Sequence, residues 1–319
     1  MKKHEFKEGN NLNNEITNSV QAANKKAQYD DRVKRLLAQK SILAHILVKT
    51  VDEFRGMNPK DVVSYIEGEP YIGVVPVEPG LTNVEKSIHY SERIVGMNTE
   101  CSEINEGVVR FDIIFYVRMR DGITQMIINI EAQKDEPKAY NILNRAIFYV
   151  CRMVSSQKER DFTNTNYDDI KRVVSIWICM NKQDNSMNHY HLTNDALLGR
   201  QKWEGKEDIL SIVIIGVSDE LPVHDENYEL HRLLATLLSN SMSENEKLRI
   251  IEKEYDIPAK EEIRKEVRAM CNLSQGIVDN TIIKIVLNMY SKGYSIEQIS
   301  ESVEFTSEKV KEIIENKGK

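Results

Sequence analysis

Apolar residues recur along this chain at two periods, and the switches between them mark its elements. A helix is predicted from Asp30 or Asp31, because Val33, Leu36, Leu37, Ile42, Leu43, Ile46 and Leu47 fall at helical spacing. Pro70, Pro76, Pro79 and Gly80 then punctuate an irregular stretch, after which Arg93 to Met97 reads as a short strand. Two long strands follow, Val109 to Arg118 and Ile123 to Gln133, then a helix from about Lys138 to Ser156 and strands at Val173 to Met180 and Ile209 to Val217. From Asn227 nearly everything is helical, including SENEKLRIIEKEY with Ser243 as its cap and then KEEIRKEVRAM. This order predicts an α/β core carrying helices at its C-terminal side.

The last stretch, IIKIVLNMYSKGYSIEQISESVEFTSEKVKEIIEN, alternates helix and turn. Ser295 and Gln298 make a capping box, Thr306 or Ser307 can cap the next helix, and the whole looks like a helix-turn-helix. Residues 281–319 hold six lysines and six glutamates with no arginine, so packing or self-association suits them better than phosphate contact. The domains expected are a mobile lead-in over 1–28, a core over 29–225, a helical extension over 226–280 and this tail over 281–319.

The strongest local signal is Asp121-Gly122 between two strands, a hairpin turn. With those two as loop residues, Arg118 faces Gln125, Tyr116 faces Ile127, Ile114 faces Asn129 and Asp112 faces Glu131. Opposed Cβ atoms in an antiparallel pair stand about 4.5–5.5 Å apart, and like charges there destabilise the sheet. Something should compensate, and a divalent cation such as Mg²⁺ does so naturally. Gln133 shares the face of Glu131, while Lys134 points to the other unless a bulge turns it. Two solvated acids at strand ends are the plainer alternative.

Composition narrows the class. Of the residues 41% are hydrophobic and 29% charged, as in a globular protein, and no apolar run approaches the ~20 residues of a membrane span. The start, MKKHEFKEGNNLNNE, lacks an apolar segment, so a cytoplasmic protein is expected. Cys101, Cys151, Cys179 and Cys271 form no CxxC pair and are expected as buried free thiols. The net charge of −7 argues against a surface that coats nucleic acid broadly, yet Lys138 to Arg172 carries seven basic residues against four acidic ones. On the helix within that stretch, Arg145, Tyr149 and Arg152 share one face. His189, His191, His224 and His231 lack zinc-ligand spacing.

Asp112 on one strand, Glu131-Ala132-Gln133 on the next, a helix and a further strand resemble the PD-(D/E)xK nuclease superfamily. The stretches YDDRVKRLLAQKSILAHIL, VRFDIIFYVR, INIEAQKDEP, NRAIFYVCRMVSSQ and SIWICMN are similar, in order, to the Rpn group of recombination-promoting nucleases, over about residues 29–275. The resemblance implies a restriction-endonuclease-like mixed central sheet flanked by helices and Mg²⁺-dependent cutting of DNA, with Mn²⁺ able to substitute. It makes Asp112 and Glu131 the metal-binding carboxylates and implies a homodimer. Gln133 stands where the superfamily has lysine, as the Rpn group tolerates, and Lys134 is the adjacent catalytic candidate. It also marks Arg145, Tyr149 and Arg152 as phosphate-contact candidates and Asp31 as a further metal contact, with N-capping as the alternative. A nuclease-like fold that binds DNA or protein without cutting is the rival reading.

Overall fold

A computed structural model of the chain describes residues 27–72, 100–103, 107–121, 125–134, 136–158, 160–199, 201, 203–303 and 305–316. The strand expected at Arg93 to Met97, Gly122 of the expected Asp121-Gly122 turn and nearly all of the lead-in lie outside them. The described residues divide into two compact units, one within 31–267 and the other made of 27–30 with 268–316.

Helix α1 covers 27–37 and α2 Lys40–Thr50, a single expected helix broken at residues 38–39. Residues 27 and 28 are already helical, so neither Asp30 nor Asp31 is a cap. A short α3, Pro59–Val62, leads to β1, Ile66–Ile72. The strand expected over Val109 to Arg118 is two, β3 (Gly107–Arg110) and β4 (Ile113–Arg118), with β3 paired instead to β2 (Glu100–Glu103). Then come β5 (Gln125–Gln133), α4 (Ile142–Ser155), β6 (Arg172–Lys182), β7 (Ser186–His191) and β8 (Leu210–Ser218).

Among the described residues the main sheet has six strands, in the order β1-β4-β5-β6-β8-β7. Strands β5, β6 and β8 run parallel and the others antiparallel to their neighbours, so the sheet is mixed. Strands buried on both faces read as near-continuous apolar runs, and β6, buried from Val173 to Met180, is such a strand. One face carries Ile114, Ile127, Val173, Trp177 and Ile212 and is covered by Ala146, Tyr149, Val150 and Met153 of α4. The other is approached by α5, Glu229–Leu238, which lines a cavity with Met180 and Val217 through Ala235 and Leu238. Full burial of a side chain like Ile127 or Ile176 contributes about 1.5–3 kcal/mol, which is why the core centres on β5 and β6.

Helix α6, Glu244–Lys253, starts as expected, with Ser243 Oγ accepting from the N–H of Glu246. The buried Lys247 ammonium donates to the Leu237 and Ser239 carbonyls at the end of α5, so both helices belong to the unit that holds the sheet. Residues 261–267 of α7 (Glu261–Ser291) belong to the same unit, and the rest of α7 belongs to the other, together with α8 (Ile296–Val303) and α9 (Ser307–Asn316). Val286, Ile299, Val310 and Ile313 form their shared core. The capping box forms in both directions, Ser295 N to Gln298 Oε1 at 2.9 Å and Gln298 N to Ser295 Oγ at 3.2 Å, and Thr306 Oγ1 accepts from Lys309 N. Among the described residues no helix is long and apolar enough to cross a membrane.

Candidate active site

The β4–β5 register is the one the Asp-Gly turn predicts: Arg118 opposite Gln125, Tyr116 opposite Ile127 and Ile114 opposite Asn129. Asp112 lies on a bend just before β4, and there the ladder gives way to side-chain bonds. The Asp112 N–H donates to Glu131 Oε1 at 3.1 Å, and the Ala132 N–H donates to Asp112 Oδ2 at 3.0 Å. Each carboxylate thus accepts a backbone N–H across the strand pair, and such bonds to charged groups contribute about 1.5–3 kcal/mol each. A second compensation comes from α1, where Lys34 Nζ stands 2.6 Å from Asp112 Oδ1. The Asp112 charge thus has an ammonium partner inside the chain, a compensation that no sequence spacing announces.

Glu131 is 3% exposed. Burial and then the Asp112 charge push its pKa well above the usual carboxylate range, against the pull of the Asp112 N–H and Arg145. Its place near the carboxyl end of parallel strand β5 is where open α/β sheets generally present their ligand sites.

From α4, Arg145 donates to Tyr149 Oη at 2.7 Å and to Tyr140 Oη at 2.6 Å. Its guanidinium lies 4.8 Å from the Tyr149 ring and 5.5 Å from that of Trp177, so it is stacked as well as hydrogen-bonded. Burial works against the charge of Arg145, but Tyr149 and Glu131 outweigh it and raise its pKa; burial and Glu131 likewise raise that of Tyr149. Both side chains thus belong to the surroundings of Glu131. Arg152 does not share their setting, since it is only 4% exposed and offers no open contact to a phosphate. Three other cations of the basic stretch are paired within the fold: Arg160 and Lys171 converge on Asp161, and Arg172 pairs with Glu53 and Asp208.

Gln133 follows Glu131 in unbroken register, Glu131 opposite Trp177 and Gln133 opposite Cys179, and is half-buried on the α4 face. With no bulge there, Lys134 stays on the opposite face, in the cavity with Met180, Val217 and Leu238. Asp31 is paired with Arg35 inside α1 at 2.8 Å. Of the thiols, Cys179 is buried as expected, whereas Cys151 is exposed on the outside of α4. His189 hydrogen-bonds Ser211 Oγ at 2.6 Å, and burial and His191 lower its pKa.

Sequence reasoning missed two contributions. Lys34 gives no local signal, since it reads as one more charge on an amphipathic helix. The second is a buried polar row beside Glu131: Asn129 Nδ2 donates to Ser175 Oγ at 3.1 Å, and Trp177 Nε1 donates to the same oxygen at 2.9 Å. Asn129 on the parity of Glu131 was a visible hint, but the parallel pairing that sets Ser175 beside it was not.

Among the described residues no group of three or more His, Cys, Asp or Glu side chains could hold a metal ion. Two converging carboxylates with Gln133 nevertheless form the hard-oxygen set from which Mg²⁺ is bound when water or a phosphate completes the shell. Asp112 Oδ1 and the Glu131 carboxylate are the atoms that fit. No family model, no curated protein and no solved structure matches the chain.

Proposed function

We propose that this chain is a Mg²⁺-dependent DNA endonuclease with a restriction-endonuclease-like core, of the recombination-promoting, transposase-like kind, working in the cytoplasm as a homodimer. The observation that carries the reading is the convergence of Asp112 and Glu131 at the carboxyl end of a central parallel strand, with Arg145 and Tyr149 beside them. When bound, the ion supplies polarisation of a phosphodiester and an acidified water. Asp112 and Glu131 would hold it. The Gln133 amide orients the attacking water without adding charge, and Arg145 offers a cation toward phosphate, held rigid by Tyr140, Tyr149 and Trp177. Hydrolysis needs no covalent protein intermediate.

A second reading, a nuclease-like fold that binds DNA or protein without cutting, is favoured by Gln133 in place of lysine and by an Asp112 that already has an ammonium partner in Lys34. Plasmid nicking with Mg²⁺, Mn²⁺ or EDTA on wild type, Asp112→Ala and Glu131→Ala separates the two. Metal-dependent nicking lost in both variants supports the enzyme. Metal-independent DNA binding with no nicking in any sample supports the second reading.

A further inference from the structure

Each oxygen of Asp112 has its own partner. Oδ2 accepts the Ala132 N–H at 3.0 Å, a bond within the strand pair, and Oδ1 is held by the Lys34 ammonium at 2.6 Å. An oxygen that accepts one hydrogen bond keeps a second lone pair, so a cation bound between Asp112 and Glu131 can reach either Asp112 oxygen, and Lys34 on Oδ1 stands beside it in both cases. Lys34 and a divalent ion therefore share one carboxylate, where the two positive charges repel one another.

The helix that carries Lys34 is not free to yield. Val33, Leu36 and Leu37 of α1 are at most 1% exposed, and Arg32 is bound to Glu266 through both carboxylate oxygens. The lysine itself is a point charge on a flexible four-carbon stem, 22% exposed, and can turn away while its helix stays in place.

We infer that Lys34 is an internal counter-cation that occupies the Asp112 side of the metal site and must be displaced by the divalent ion, so that it sets the concentration at which the site fills. Lys34 thereby holds the metal-free carboxylate pair together and lowers the affinity for metal by the same contact, as linkage between competing ligands requires. The inference rests on the metal reading of Asp112 and Glu131.

The test is calorimetric titration of Mg²⁺ and Mn²⁺ into the full chain without DNA, for wild type, Lys34→Ala, Lys34→Gln, Lys34→Arg and, as a control, Asp112→Asn. Removing the competing charge in Lys34→Ala and Lys34→Gln tightens metal binding by about tenfold, while Lys34→Arg stays close to wild type. Thermal melts of the same proteins give an independent readout: both neutral variants melt lower than wild type in EDTA and regain the difference with metal. Unchanged or weaker metal binding in both neutral variants overturns the inference, and if wild type binds metal in an Asp112-dependent way the metal reading survives that failure. Absence of metal binding in every folded variant, Lys34→Ala included, overturns the metal reading and the inference together.

Discussion

The backbone N–H of Asp112 donates to a carboxylate oxygen of Glu131, from a bend that interrupts what the sequence reads as one continuous strand. That interruption lets the acids meet through hydrogen bonds rather than as a bare like-charge pair. It also leaves Glu131 buried beside Asp112.

Glu131 has a pKa raised by burial and by Asp112, so the folded chain takes up a proton there more readily than the unfolded chain does. Its contribution to stability is fully present below the ordinary glutamate value of about 4.3 and is lost as pH rises through the folded-state pKa. Glu131→Gln, which keeps an acceptor for the Asp112 N–H, should therefore melt above wild type in EDTA at pH 8, with the gap closing toward pH 4. A lower melting temperature for Glu131→Gln at pH 8 would contradict this.

Asp161 titrates in the opposite sense. Burial opposes its charge, but Arg160 Nε at 2.7 Å and Lys171 Nζ at 2.6 Å outweigh burial and hold its pKa below the usual range; Tyr116 Oη donates to it as well, at 2.9 Å. The stabilisation is present above the ordinary aspartate value of about 3.9 and disappears as pH falls through the lower folded-state value. Asp161→Ala leaves two cations facing each other at a site where Asp161 is 5% exposed and should cost about 3–5 kcal/mol at pH 7 by denaturant unfolding. Wild type and Asp161→Asn should converge in stability under acid.

Arg145 stacks against the buried Trp177, whereas Trp203, the second of the chain's two tryptophans, is 85% exposed. In a Trp203→Phe background the emission reports Trp177 alone, and Arg145→Ala should change its intensity. Lysine cannot reproduce a planar guanidinium bonded to two tyrosines, so Arg145→Lys should resemble Arg145→Ala in any DNA-cleavage assay rather than wild type. Full activity in Arg145→Lys would remove Arg145 from the site.

The exposed side of α9 carries Glu308, Lys309, Lys311, Glu312 and Glu315, and Lys309 is paired with Glu312 at 2.8 Å. A helix that read DNA would present cations there. Lys309→Ala with Lys311→Ala should leave DNA affinity within about twofold and the salt slope unchanged. Ile299→Ala removes a fully buried side chain from the core that α8 and α9 share and should cost about 2–5 kcal/mol, visible as faster proteolysis confined to the C-terminal helices.

What the sequence by itself determined is what neighbours along the chain decide. The hairpin register follows from Asp121-Gly122 and the period of two, the starts of α6, α8 and α9 follow from Ser243, Ser295 and Thr306, and the double-sided burial of β6 follows from an apolar run interrupted only by Ser175. Strands β1 and β7 were not legible, because IEGEPYI and SMNHYH carry polar edges whose order comes only from the strands they join. The tertiary structure alone brought Lys34 to Asp112, Ser175 to Asn129 and Arg145 to Trp177. Those pairs lie far apart in sequence, and nothing local encodes them: each exists only once a parallel crossover and a docked helix have set which faces meet.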